Sequence, residues 1–493
     1  MVTSNLAFKE KNSIEPEVVV NESPVKWCAV ALSDVVARGK RLEASVFDVE
    51  AKQARATVVN GKYKWHALGG KDGLIQNAYY PGRFKRIYCD KRTGEAFYLP
   101  SQMAEVYPKS EKYISALTKC DISELRLKPN TLLLTRSGTI GTVSLVSKTT
   151  QGKVYSDDVI RVSFNEVYDT GFIYTFLKSK TGSKILTTNG YGSVITHLEP
   201  EHLATVPIPD APTMLKKKIH DLIVRSYELR DESNDLIDQA TALLIGELKL
   251  PDIDAFDVGL YKKAAPVDTF SVRLSEMSGR LDASYHMPIV DAIIEHLKRY
   301  AEEVTTVGDP RISREVILPG RFKRVYVDEG YGRVLIGGKQ LSELDPSSKK
   351  YLSTAKHDKM LKKLEVHEGT TLITRSGTIG KIAIVPKHWE HYIPSDHIIR
   401  VIPANKDIAG YLNIFLASDY GKALITRFTY GSVVDEIDDN HVRQIAIPLL
   451  KNHEVQKRIN DLALEANEKR YQAYLLEQEA LQIMDRDVIY AKK

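Results

Sequence analysis

The chain has 493 residues, 43% hydrophobic and 27% charged, with a net charge of +5. Those proportions belong to a globular protein of two to four domains, and no apolar run reaches the ~18 residues of a membrane helix, so no membrane partner is expected. The N-terminus has no apolar signal stretch, and Cys28, Cys89 and Cys120 lack metal-ligand spacing, so a reduced, cytoplasmic protein with no metal site is expected.

One block of sequence is used twice. A polar extension over 1–24 leads into a first unit, expected at 25–212. Near its start, Arg-Leu-Glu-Ala-Ser at 41–45 returns as Arg-Leu-Asp-Ala-Ser at 280–284, a shift of 239. Pro-Gly-Arg-Phe-Lys-Arg at 81–86 returns at 319–324. Extended backbone puts Arg83 and Lys85 on one face and Phe84 and Arg86 on the other. Arg321, Lys323 and Arg324 repeat the pattern. Cations around a buried aromatic suit a phosphate backbone; a solvated basic edge strand is the alternative.

The runs 131–135 and 142–146 are β-rich and flank Ser-Gly-Thr-Ile-Gly, which predicts strand–turn–strand. The heptapeptide Thr-Arg-Ser-Gly-Thr-Ile-Gly at 135–141 recurs at 374–380. Glycine lets backbone N–H groups approach an anion, and arginine forks phosphate oxygens. Arg136, Ser137 and Thr139, with Arg375, Ser376 and Thr378, are therefore candidate DNA contacts. The competing reading closes each arginine onto a carboxylate inside the fold, with Asp157 and Asp396 as candidate partners. Both aspartates lie in a repeated Ser-Asp-x-x-Ile-Arg-Val. Helices are predicted over 172–183 and 411–422. Tyr191 and Tyr430, in a repeated Tyr-Gly-Ser-Val, could stack on bases or merely anchor a loop.

A proline-marked stretch closes each unit, at 206–212 and 445–448. A long helical pattern follows each, at 213–249 and 451–487. The first carries Leu215, Ile219, Leu222, Leu229, Leu236 and Leu243 at alternating steps of four and three. The second carries Val455, Ile459, Leu462, Leu476 and Ile483 in the same register. Ser226 and Ser233, matched by Ala466 and Ala473, make the middle of each stripe small; Lys469 stands opposite Leu229. A sustained 3.5 period predicts a coiled-coil seam, and the two helices are expected to pair antiparallel with each other. Helices of ~34 residues at ~1.5 Å per residue give a spacer of about 50 Å. A linker at 250–267 separates the first helix from the second unit, expected at 268–450, whose first strong element is an amphipathic helix over 289–300.

Charge follows this plan. Residues 213–249 hold six Lys/Arg against seven Asp/Glu, and 453–487 hold five against eight, which leaves +9 on the remainder. Basic globules and neutral-to-acidic helices suit DNA contact by the former and protein contact by the latter. Catalytic constellations are missing. The sequence has no Asn/Asp-Pro-Pro-aromatic tetrapeptide, no phosphate loop, no zinc-spaced Cys/His cluster and no nucleophile elbow. The nuclease-like Pro209-Asp210 with Glu247 and Lys249 is short enough to arise by chance and has no counterpart in the second unit.

The repeated set, in this order and with a long helix after each copy, resembles the specificity subunit of type I restriction–modification systems over about residues 25–487. The resemblance implies duplicated α/β (α+β) target recognition domains and two long antiparallel coiled-coil helices. It implies double-stranded DNA with a bipartite site as ligand and two copies of a methyltransferase subunit as partners, with room for a restriction motor. S-adenosylmethionine would reside in the methyltransferase, and ATP and Mg in the motor. No catalysis and no cofactor are expected in this chain. Residues shared by both units are expected to serve the fold or sequence-blind phosphate contact. Base readers are expected where the units differ, at 62–80 against 304–318 and 91–99 against 329–336. A DNA-binding regulator without partners and a helical scaffold that binds protein are the rival readings.

Overall fold

A computed structural model of the protein describes residues 18–19, 27–37, 40, 42–71, 73–192, 195–256, 270–277, 279–431 and 433–492. The 1–24 extension apart from 18–19, most of the 250–267 linker, and Arg41, Ser193, Val194 and Ser432 of the repeated motifs lie outside the described residues. The chain forms two compact units, one of 1–104, 108–228 and 475–493, the other of 105–107 and 229–474.

The first unit is built on a four-stranded antiparallel sheet in the order Ile75–Tyr79, Val159–Phe164, Leu132–Thr135, Val143–Leu145. Its Leu-Leu-Leu-Thr strand is buried at every position, which is why that run is apolar without alternation. A second sheet orders Val154–Tyr155, Gly94–Tyr98, Lys112–Ser115 and Tyr88–Cys89, with its first pair parallel. A third pairs Pro207–Pro209 with Trp65–Ala67. The second unit repeats all three. Its sheets order Ser313–Ile317, Ile398–Pro403, Thr371–Thr374, Ile382–Ile384; then Ile393–Pro394, Gly332–Ile336, Lys350–Ser353, Tyr326–Val327; then Glu303–Thr306 with Ala446–Leu449. The duplicated α/β reading and the strand–turn–strand reading both hold.

The arginine of the repeated Ile-Arg-Val is a structural part. Arg161 is 2% exposed and donates to the carbonyls of Val159 at 2.6 Å, Tyr155 at 2.9 Å and Leu125 at 3.1 Å. Burial lowers its pKa to about 10, and burial lowers that of Arg400 to about 10 as well.

The helix predicted over 172–183 is two helices, Val167–Lys178 and Lys180–Thr187; the one predicted over 411–422 is Lys406–Ala417 and Asp419–Thr426. The breaks fall at Ser179 and Ser418, whose hydroxyls accept from the N–H groups of Gly182 (3.0 Å) and Gly421 (3.1 Å) as N-caps of the next helix. Glycine is needed there, since a Cβ on Gly182 would lie 1.9 Å from the Phe176 carbonyl oxygen. Apolar spacing runs smoothly through the break, so it does not register in the pattern. The amphipathic helix expected at 289–300 is Pro288–Tyr300.

The long helices run over Thr213–Glu247 and His453–Ile483, the second ending in a π-helical turn at Met484–Ile489. Each compact unit contains a segment of both. In the first unit, Ile219 and Ile223 share a core with Ala480, Ile483 and Met484 and with Phe172, Ile173 and Phe176. Buried Glu477 accepts from Tyr174 and from Lys178 (2.5 Å). In the second unit, Ala240, Leu244 and Leu248 share a core with Ile459, Leu462 and Ala463 and with Tyr411, Leu412 and Phe415. There Lys469 reaches Glu232 at 2.6 Å, and Arg470 Nε donates to Ser233 Oγ at 3.2 Å. In the second unit Glu232 and Ser233 meet Lys469 and Arg470 while Ala240, Leu244 and Leu248 share a core with Ile459, Leu462 and Ala463, so those two segments run antiparallel and Lys469 is an ion-pair residue of the pairing.

One position of the seam needs correction. Ile219, Leu229, Ile459, Leu462, Ile483 and the small residues Ser226, Ser233, Ala466 and Ala473 are buried, and Leu215, Leu222, Leu236, Val455 and Leu476 are half-buried. Leu243, however, is exposed, and Leu244 beside it is buried. Each segment packs on sheet-and-helix core as well as on its partner helix. The buried face is therefore wider than an a/d stripe, although Ile219, Ser226, Ser233 and Ala240, and Ile459, Ala466, Ala473 and Ala480, are buried at exact seven-residue steps.

Candidate nucleic-acid interface

In the first unit two repeated segments converge on Ser156, Asp157 and Asp158. The 81–86 segment belongs to no strand or helix. Arg83 and Lys85 are exposed, and Phe84 and Arg86 are half-buried, as alternation predicted. Phe84 meets Phe97 edge-on at 6.3 Å, and Arg86 lies over both rings while its Nη2 reaches Asp157 Oδ1 at 2.6 Å. From the other side, the glycine turn brings Arg136 to Asp158 at 3.2 Å and Glu199 at 2.6 Å, with Tyr80 beneath the guanidinium at 4.2 Å. Burial works against ionising Glu199, but hydrogen bonds from Tyr191 and Arg136 outweigh it and hold this carboxyl below its usual pKa. Ser137 Oγ lies 2.8 Å from both Asp158 Oδ1 and His197 Nδ1. Tyr191 donates to Glu199 at 2.7 Å. The turn depends on Gly138 and Gly141, at φ +78 and +84, a region that disfavours other residues.

The second unit uses the same plan. Arg324 pairs with Asp396, and Arg375 with Glu436. Ser376 Oγ lies 2.5 Å from His397 Nδ1. Arg321 is largely exposed, 3.9 Å from Asp396, and Lys323 is exposed. A cleft of about 550 Å³ is lined by residues of three repeated motifs, among them Asp282, Ser284, Gly377, Tyr430 and Gly431.

The candidate residues thus fall into two groups. Arg86, Arg136, Arg324 and Arg375 are committed to carboxylates within the fold, and Ser137 and Ser376 to neighbouring side chains. Arg83, Lys85, Thr139, Tyr191, Arg321, Lys323, Thr378 and Tyr430 face solvent. The expected partners of Arg136 and Arg375 are corrected: Asp157 and Asp396 belong to Arg86 and Arg324, while Arg136 takes Asp158 and Glu199 and Arg375 takes Glu436. Asp158, His197, Glu199, His397 and Glu436 were not anticipated, because they differ between the units. Their signal was the shift of 239 itself, which sets Asp158 against His397 and His197 against Glu436.

Residues 345–462, which hold the second heptapeptide and its surroundings, match the family model described as "Type I restriction modification DNA specificity domain". Residues 345–462, all within the second unit, are thus similar to the specificity domain of type I restriction–modification systems. Among solved structures, the type I restriction–modification S subunit from M. genitalium is 12% identical, with 88% of this chain and 96% of that one covered and a TM-score of 0.33. The HsdS subunit from Thermoanaerobacter tengcongensis is also 12% identical, over 87% and 99%, with a TM-score of 0.25. No curated protein matches the chain. No helix among the described residues is long and apolar enough to cross a membrane.

Proposed function

We propose that this specificity chain reads a bipartite DNA site, one half with each unit, and stations the other subunits of a type I complex upon it. The observation that carries this reading is the match of 345–462 to the specificity domain, combined with the recurrence of that region's motifs 239 residues earlier. The exposed cations Arg83, Lys85, Arg321 and Lys323 are suited to phosphate contact, and Tyr191 and Tyr430 offer exposed rings for stacking. Base reading falls to the divergent segments 62–80 and 91–99 in one unit and 304–318 and 329–336 in the other. The long helices set the gap between half-sites and dock two copies of a methyltransferase subunit. In this reading the chain itself supplies no catalytic group. S-adenosylmethionine and the adenine chemistry belong to those partners, and ATP and magnesium to a motor subunit where one joins.

The test is co-expression with the cognate methyltransferase subunit, followed by single-molecule sequencing of the host DNA. A co-purifying complex and a methylated motif split by an unread gap are expected. A continuous motif, or no modification from an intact complex, would overturn the reading. In the purified complex, Arg83→Ala with Lys85→Ala should reduce the slope of log K against log salt by roughly two, about one per lost phosphate contact. An unchanged slope would remove these residues from the interface.

A further inference from the structure

Four side chains of the second unit meet from two separated stretches of chain. His367 Nδ1 lies 2.5 Å from Glu390 Oε1, and His391 Nδ1 lies 2.9 Å from Glu365 Oε2. The two imidazoles meet edge-to-face at 5.6 Å, and one ligand atom each from His367, Glu390 and His391 lies within 4.8 Å of the others. Both imidazoles are more than half exposed, so an ion reaches them from solvent, while Glu365 is mostly buried against Arg333. The Glu368 N–H holds the other Glu390 oxygen at 2.9 Å.

The first unit shows that the fold does not require this group. At the matching positions it has Arg126, Lys128, Gln151 and Gly152. Gly152 adopts φ +76, which glycine tolerates freely, and the second unit keeps that left-handed backbone at φ +66 with His391 in its place. An imidazole retained at a position built for glycine, facing a second imidazole and a carboxylate, is a local cost without a packing return.

We propose that His367, Glu390 and His391 bind a divalent transition-metal ion of the zinc class, with Glu365 as the residue that orients His391. Imidazole nitrogen with carboxylate oxygen is the donor set such ions favour. A hydrogen bond from His391 Nδ1 to Glu365 leaves the Nε2 lone pair for the ion, and a carboxylate behind a ligating histidine also fixes its ring. Three protein ligands leave a fourth position for water or for a donor from another molecule. The ion ties the segment that leads into strand Thr371–Thr374 to the turn before Ile393–Pro394. No sequence spacing announced the group, since its members come from both sides of a strand pair.

The probe is zinc chloride, titrated calorimetrically into the full chain, free of any histidine tag and stripped with EDTA, alongside elemental analysis and thermal melting. Uptake of one zinc per chain and a higher melting temperature with zinc are expected. His391→Gly and His367→Lys install what the first unit already carries; both should abolish stoichiometric uptake and melt in EDTA no lower than the parent. Glu365→Gln should weaken binding by about tenfold or more, as loss of an orienting carboxylate does. No uptake by the parent chain, or uptake that survives in both His391→Gly and His367→Lys, would overturn the proposal.

Discussion

The two units solve the same local problem with different residues. Around Ser137 the first unit places Asp158 and His197; around Ser376 the second places His397 and Glu436, acid and imidazole having traded positions. The same trade occurs at a second point, where Glu95 pairs with Arg126 in one unit and Arg333 with Glu365 in the other. A pairing kept while its members exchange places answers to charge balance within the fold. Repetition in sequence marked Arg136 and Ser137 with Arg375 and Ser376, and the structure supplied the varying side chains around them. The comparison leaves Arg83, Lys85, Arg321 and Lys323 as repeated charges that face solvent and take no part in these exchanges.

The strongest way to break this comparison is to remove the arginine both units share. Arg136→Ala strands Asp158 and Glu199 beside a buried site and should cost about 3–5 kcal/mol, by the measure of other broken buried pairs, in denaturant unfolding followed by hydrogen exchange within the first unit. A loss below about 1 kcal/mol would mean the ion pairs are incidental. The trade itself can be tested next. Asp158→His alone should destabilise the first unit, and adding His197→Glu, which reproduces the second unit's arrangement, should restore most of the loss. A coupling of about 0.5–3 kcal/mol is expected from a double-mutant cycle, and simple additivity would contradict the exchange.

A smaller effect is expected from pH. The Glu199 carboxyl is held below its ordinary range in the folded state, so its contribution is present above the unfolded pKa of about 4.3 and fades as pH falls through the folded value. Glu199→Gln should therefore lower stability at neutral pH and flatten the acid limb of the stability profile; an identical acid limb would refute the assignment. The smallest effect belongs to Glu95 and Arg126, both more than two-fifths exposed. In denaturant unfolding, Glu95→Ala should cost under about 1 kcal/mol, and less than Glu365→Ala at the better-buried counterpart. Equal losses at the two sites would show that burial does not set the strength of this pairing.

The sequence alone determined the duplication, the glycine turn between strands, the alternation of Arg83 and Lys85 with Phe84 and Arg86, and two long helices with small residues at mid-stripe. Each of these is a local matter of side-chain period or backbone sterics, and such forces act over a few residues. Tertiary structure decided which carboxylate each arginine takes, the breaks at Ser179 and Ser418, the exposure of Leu243, and the meeting of His367 with Glu390 and His391. Those outcomes turn on packing between segments far apart in the chain. A one-residue step, from Asp157 to Asp158 or from Leu243 to Leu244, redirects a side chain to another neighbour without disturbing any pattern that can be read along the sequence.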